Sequence, residues 1–181
     1  MWDALSGEKL GAASVGKSPT SLACLAPSGD LCVGNKDGTL SIYAFDASLT
    51  LRGVVDTGLG SKGVAEVVPV DRGRSEGASA KEADEMTRVV VRTHADGWMW
   101  DVRFPHAELD PSRPTACAKK AVVRLFPGTA GLQCADVSRD GSWVLGGDST
   151  GRVLVSRLAD PTTSMELHMP RVKGSATSAC F

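Results

Sequence analysis

Long apolar runs are missing from this chain of 181 residues. A helix that spans a bilayer needs roughly 18 or more consecutive apolar residues, and the longest runs here are only a few residues long. The first residues also lack the basic region followed by an apolar stretch that is typical of an export signal. We therefore expect an intracellular protein, in the cytoplasm or the nucleus, without a membrane segment.

An excess of charge of either sign is missing as well. The chain has 20 Lys and Arg residues against 21 Asp and Glu residues, which gives a formal net charge of −1. Nucleic-acid-binding surfaces usually carry a basic excess, so the composition argues weakly against a nucleic-acid partner.

Cysteine and histidine are too scattered to indicate a metal site or a disulfide framework. The five cysteines are odd in number and include no C-x-x-C pair. We expect them to pack as small apolar side chains. The histidines, His94, His106 and His168, lie too far apart to form a metal pair on one element. The sequence thus predicts neither a metal nor a cofactor.

A unit that recurs along the chain is the most informative feature present. It consists of an apolar strand, a Ser/Asp/Gly turn, a second strand, an Asp-Gly or Thr-Gly turn and an alternating third strand. The clearest copies span residues 21–44 and 132–157. Glycine suits the second turn, which falls at Gly38, Gly97 and Gly151, because a tight hairpin needs positive φ. Such self-similarity predicts a repeat architecture.

This pattern resembles the WD40 repeat family of β-propellers over nearly the whole chain. Residues 25–29 and 137–141 are similar to the F-S-P-D-G phrase of that family. Trp2-Asp3 resembles the W-D dipeptide that ends its third strand. Trp100-Asp101 is also a W-D pair, but it follows the turn at Gly97 two residues too early, so we interpret it as a coincidence.

The resemblance implies an all-β fold of four-stranded antiparallel blades arranged around an axis. We divide the chain into a partial blade at 1–15, blades at 19–58, 63–128 and 132–174, and the start of another at 176–181. Propellers typically have four to eight blades. We therefore expect a segment of a longer propeller, although the two ends could instead combine into one incomplete closing blade.

Two polar insertions interrupt the predicted blade at 63–128. Residues 71–87 are too polar to bury a face, and residues 105–118 contain three prolines that cannot donate to a strand ladder. Both should leave the blade at the same end, which suggests a decorated face, although unselected expansion of surface loops is the favoured interpretation. If this face binds a protein, four charged side chains would steer the encounter. They are Arg72, Arg74, Glu82 and Glu85.

Catalytic motifs are weak. Residues 147–151 fit G-x-S-x-G, but an alternating strand follows instead of the helix that a nucleophile elbow requires, so a plain turn is favoured. Trp98 and Trp100 alternate along a strand, which should place both indoles on one side. Core packing is the favoured role for them, and contact with a partner is the alternative.

The alternation also predicts an interior. Leu25, Ile42, Val137 and Val155 should be buried, and Trp143 should be at least partly covered.

The function implied by the resemblance is non-enzymatic. Propellers of this family typically serve as rigid platforms that hold protein partners in multi-subunit assemblies, and no small-molecule substrate is indicated. The alternative is an enzyme built on a propeller, with its active site at the central channel. Converging His, Asp or Glu side chains there would favour the enzyme, and small apolar ones would favour the platform.

Overall fold

The computed structural model describes residues 5–8, 15, 18–26, 28–45, 49–70, 86–117, 122–129 and 131–167. Within these ranges the protein is all-β, as predicted, with thirteen strands and two short 3₁₀ helices. No helix in the same ranges is long and apolar enough to cross a membrane.

The 3₁₀ helices are Gly60–Lys62 and His106–Glu108. The strands, in chain order, are β1 (Pro19–Cys24), β2 (Leu31–Asn35), β3 (Thr39–Tyr43), β4 (Leu51–Asp56), β5 (Val64–Pro69), β6 (Met86–Thr93), β7 (Met99–Pro105), β8 (Thr115–Ala116), β9 (Val122–Leu125), β10 (Leu132–Val137), β11 (Trp143–Asp148), β12 (Val153–Arg157) and β13 (Asp160–Leu167).

The strands form three sheets. Sheet 1 has the order β1-β2-β3-β4-β8, sheet 2 the order β5-β6-β7-β9, and sheet 3 the order β10-β11-β12-β13. All neighbours pair antiparallel except β8, which pairs in parallel with β4. Apart from β8, each sheet is therefore a meander whose strands follow one another along the chain.

A local turn between Asp and Ser or Thr recurs throughout the meanders. In each copy a carboxylate oxygen of the Asp accepts a hydrogen bond from the backbone N–H two residues later, a geometry that favours a turn over continued strand. Four pairs lie at turns: Asp37 and Thr39, Asp110 and Ser112, Asp140 and Ser142, and Asp148 and Thr150. A fifth pair, Asp160 and Thr162, lies at the start of β13, directly after a turn. This Asp-x-Ser/Thr spacing is visible in the sequence.

The first core lies between sheets 1 and 2. Leu40 and Ile42 of β3 are fully buried there against Val91 of β6 and Phe104 of β7. Gly34 of β2 lies so close to β5 that an added Cβ would overlap the side chain of Val64. Sheets 1 and 2 thus pack face to face with no room for a larger residue at this position.

The second core lies between sheets 2 and 3. Met99 and Phe126 from sheet 2 pack against Leu132 and Val144 of sheet 3, and all four side chains exclude solvent. An added Cβ on Gly146 would lie 2.8 Å from Cε of Met99. The middle sheet is therefore covered on both faces.

Four of the five predicted interior positions are confirmed. Leu25, Ile42 and Val155 are buried, and Trp143 is half-buried. The prediction for Val137 is wrong, because this residue ends β10 and only packs at the margin of the second core. Alternation identifies the face of a strand but not how far the neighbouring sheet extends along it.

The chain segments differ in detail from the predicted division. The four-stranded meanders of the three sheets lie within residues 19–58, 63–128 and 132–174, but β8 comes from the second segment and pairs with sheet 1. Strand β6 begins at Met86, so the last two residues of the predicted 71–87 insertion belong to a strand. The predicted strands at 176–181 lie outside the described residues, as do those at 1–15 apart from residues 5–8 and 15.

Candidate functional site

A cleft of about 550 Å³ lies at one end of the three sheets. Thr20 from sheet 1, Arg92 from sheet 2 and Gln133 from sheet 3 all line it, together with His94 and Asp96 from the turn between β6 and β7. The first strands β1, β5 and β10 all begin at this end. The cleft therefore collects polar side chains from every sheet.

Backbone contacts hold the floor of the cleft. The N–H of Gly131 donates to the carbonyl of Asp96 at 2.8 Å, and the N–H of Leu132 donates to the carbonyl of Gly97 at 3.1 Å. Gly97 has φ +63°, and an added Cβ would lie 2.7 Å from the Leu132 nitrogen. Only glycine combines this backbone conformation with such a close approach, so the turn of sheet 2 is joined directly to the start of sheet 3.

Side chains also link the first strands. The Thr20 hydroxyl of β1 lies within hydrogen-bond distance of the Val64 carbonyl of β5, and the Val67 N–H donates to the Ser21 hydroxyl at 2.8 Å. The wall of the cleft between sheets 1 and 2 is therefore built from strands in direct contact.

Two of the charged side chains in the cleft are held by ion pairs. Nε of Arg92 lies 2.9 Å from Oε2 of Glu66, and its Nη1 donates to the Leu132 carbonyl at 3.3 Å. Oδ2 of Asp96 lies 3.2 Å from Nζ of Lys62, while its Oδ1 accepts from the Trp98 N–H at 3.2 Å. Both charged groups are thus paired with groups of the protein itself.

His94, Gln133 and Thr20 are the exposed polar residues of the cleft, and the Thr20 hydroxyl is already bonded to the Val64 carbonyl. The backbone N–H of His94 donates to the Gly63 carbonyl at 3.0 Å, which fixes the position of the residue. Within the described part of the chain its imidazole makes no hydrogen bond. Nε2 of Gln133 donates to the Gly131 carbonyl at 3.1 Å, which leaves its amide oxygen exposed to a ligand. The cleft can therefore offer hydrogen bonds from a rigid frame.

Acid is expected to remove the stabilisation that Asp96 provides. Although burial raises its pKa, hydrogen bonds from Thr93, the Trp98 N–H and Lys62 outweigh burial and hold the pKa of Asp96 below its ordinary value. A carboxyl group whose pKa is lowered by folding stabilises the protein above its unfolded-state pKa of about 3.9, and this stabilisation is lost as the pH falls through the folded-state pKa.

We therefore expect wild type to be more stable than Asp96→Asn near neutral pH, and the difference in free energy of unfolding to shrink below about pH 4. Urea unfolding across the pH range measures this difference. A difference that does not change with pH would show that the charge of Asp96 contributes nothing.

Four charged side chains are predicted to contact a partner. Arg72, Arg74, Glu82 and Glu85 lie outside the described residues. Met86 pairs with Pro105, and Pro69 pairs with Val89, so β5 and β7 both end on the side of sheet 2 opposite the cleft.

Residues 106–117 form a crossing segment that runs from sheet 2 to the outer edge of sheet 1. Nε2 of His106 lies 2.8 Å from Oδ2 of the buried Asp30, and its Nδ1 lies 3.1 Å from the Thr87 hydroxyl. Gly53 of β4 lies directly beneath the segment, because an added Cβ would come within 2.9 Å of the Asp110 nitrogen. His106 and the crossing segment thus connect the two sheets.

The remaining motifs have structural positions. Residues 147–151 comprise the end of β11 and the turn that leads to strand β12, so a turn between two strands is found here, as predicted. Cys32 and Cys134 are buried, and burial raises the pKa of the Cys32 thiol to about 12. Cys24 is exposed, so the packing role predicted for it is wrong. Among the described residues, no group of three His, Cys, Asp or Glu side chains could hold a metal.

Trp98 and Trp100 lie on the same side, as predicted, with ring centroids 6.1 Å apart. The sequence did not predict the cationic side chains beside them. Nζ of Lys62 lies 3.9 Å from the Trp98 ring centroid, and the Arg124 guanidinium lies 3.5 Å from the same centroid. Trp100 also packs at the margin of the first core.

Comparison of the chain with protein-family models and with curated proteins found no match.

Proposed function

We propose that this chain is a segment of a WD40-like β-propeller that acts as a non-enzymatic platform for protein partners in a multi-subunit assembly. The arrangement of the sheets supports the propeller. Three meanders pack face to face, and their first strands are neighbours, since β1 contacts β5 and β5 contacts β10. Radial repetition of four-stranded sheets around an axis has this arrangement.

The cleft is the observation that carries the platform function. It joins side chains from three sheets on a frame of backbone hydrogen bonds, and it exposes His94 and Gln133 without using either in the core. A rigid surface loses little conformational entropy when a partner binds, which favours recognition of an extended polar segment.

One observation favours the enzyme as a second candidate. His94 and Asp96 line the same cleft, and titratable side chains at the axis are what a catalytic propeller needs. The contacts of Asp96 support the platform instead, because its two oxygens accept hydrogen bonds from Thr93, Trp98 and Lys62. A carboxylate engaged in this way is poorly suited to take a proton from a substrate.

Paired substitutions at the two ends of the sheets test the platform. His94→Ala with Gln133→Ala removes the two exposed side chains of the cleft that do not bond to a neighbouring sheet. Glu108→Ala with Arg139→Ala is the matched control, because both residues are exposed and lie at the opposite end. We expect proteins recovered with the wild type by quantitative affinity purification to be lost from the cleft variant and retained by the control.

The strongest partner is then purified for a titration, where the cleft variant should bind at least about tenfold more weakly. If the cleft variant and the control variant bind the purified partner with equal affinity, the cleft is not the surface that binds it. Turnover of a substrate by the wild type, lost in the cleft variant, would favour the enzyme.

A further inference from the structure

Trp98, directly before β7, and Trp100, within it, form a pair of half-buried rings. Their planes are tilted by 49°, and a positive charge lies between them. Nζ of Lys62 is 3.9 Å from the centroid of Trp98 and 5.4 Å from that of Trp100. The same nitrogen lies 3.2 Å from Oδ2 of Asp96. Two aromatic faces and one carboxylate thus surround a single ammonium group.

We propose that Trp98, Trp100 and Asp96 form a binding site for alkylammonium groups, which Lys62 occupies when no ligand is bound. Aromatic faces attract a cation within about 6 Å of the ring centroid, and both ring distances are within this limit. The carboxylate supplies the opposite charge. The ammonium of Lys62 marks the position and the chemistry of the ligand.

The site is held in place by contacts that do not involve the Lys62 side chain. The guanidinium of Arg124 lies 3.5 Å from the centroid of the Trp98 ring. The backbone N–H of Trp98 donates to Oδ1 of Asp96 at 3.2 Å. The Thr93 hydroxyl also donates to this oxygen. The rings and the carboxylate are therefore oriented before a ligand arrives, which lowers the entropic cost of binding.

The Lys62 side chain can leave the site while its backbone stays in place. Its carbonyl accepts hydrogen bonds from the N–H groups of His94 and Ala95, at 3.1 and 3.0 Å, so the backbone is fixed. Its side chain is 36% exposed, and the ammonium group is carried on a flexible aliphatic stem. A ligand must compete with this side chain, and its apparent affinity falls in proportion to the fraction of molecules in which the site is empty.

This inference goes beyond the platform function, because its ligand is a small cation held between the rings of Trp98 and Trp100, which are not lining residues of the cleft. Two sources supply the same chemistry, a free quaternary amine and a methylated lysine side chain of a partner. Methylated ammonium groups suit aromatic faces because they are less strongly hydrated than the primary ammonium of Lys62.

Lys62→Ala is the decisive variant, with Lys36→Ala as the matched control because Lys36 is exposed in the turn between β2 and β3. Tetramethylammonium chloride is titrated while the indole N–H resonances are followed by NMR at constant ionic strength. We expect the Trp98 and Trp100 resonances to shift and that of Trp143 to stay constant. Binding to Lys62→Ala should be about tenfold tighter than to the wild type or to Lys36→Ala.

Two further arms complete the test. Lys62→Ala with Asp96→Asn keeps a side-chain oxygen that can accept the hydrogen bonds from Thr93 and Trp98. This variant should bind tetramethylammonium severalfold more weakly than Lys62→Ala, because the carboxylate charge is lost. A short peptide with one trimethyllysine distinguishes the sources: tighter binding than tetramethylammonium favours a partner lysine, and equal binding favours a free amine. The proposal is overturned if Lys62→Ala folds and its Trp98 and Trp100 resonances respond no more to tetramethylammonium than to sodium.

Discussion

Ile42→Asp is expected to abolish folding. The Ile42 side chain is fully buried in the core between sheets 1 and 2, where the substituted carboxylate would have neither water nor a cation. Burying an unpaired charge costs more than about 4 kcal/mol, a large share of the 5 to 15 kcal/mol by which a domain is usually stable. Circular dichroism should therefore show no cooperative thermal transition.

Leu22→Asp is the matched control, because the same chemical change is made on β1 at a side chain that is 65% exposed. Its stability should stay within about 0.5 kcal/mol of the wild type, since surface substitutions usually have small effects. A native-like melting curve for Ile42→Asp would mean that the inward face of β3 is assigned incorrectly.

Asp101→Ala should produce the second largest loss of stability. The Asp101 carboxylate is 1% exposed and accepts two parallel hydrogen bonds from Arg88, at 2.7 and 2.8 Å, and another from Nη2 of Arg103 at 2.9 Å. Arg88 also donates to the Leu158 carbonyl of sheet 3 at 3.0 Å. Removing the carboxylate leaves a largely buried guanidinium without its counter-charge, which costs about 3 to 5 kcal/mol.

Chemical denaturation of three variants isolates this effect. Arg113→Ala is the control, because Arg113 makes a long, exposed pair with Asp110 at 3.5 Å, and such pairs contribute little. Asp101→Leu with Arg88→Met removes both charges and should recover most of the lost stability. If the double variant is as unstable as Asp101→Ala, the loss arises from packing and not from the unpaired charge.

Local patterns predicted the strands well. The alternation at 39–43 and 153–157, each after a turn glycine, corresponds to β3 and β12 as the structure has them. Hairpins depend on turn residues and on period-two burial, both of which are visible over a few residues. The same reasoning placed the two indoles of Trp98 and Trp100 on one side of the chain.

Contacts between distant segments could not be predicted in this way. β8 has only two residues, next to prolines, so no periodicity marks it as a strand. Lys62 reaches the indoles of Trp98 and Trp100 because the 3₁₀ helix before β5 packs beside the turn between β6 and β7. Both features follow from how the sheets pack, which a single strand does not encode.

The parallel pairing of β8 with β4 means that the repeats of the sequence are not separable pieces of the protein. A truncated chain that ends after β4 would include the whole first repeat but would lack the strand that pairs with Val55 and Asp56. The bare edge could then join the edge of another molecule, as unprotected strands do in aggregates. Sheet 1 can be expressed with its native edge only if residues 106–117 are expressed with it, so sheets 1 and 2 together are the smallest unit to dissect.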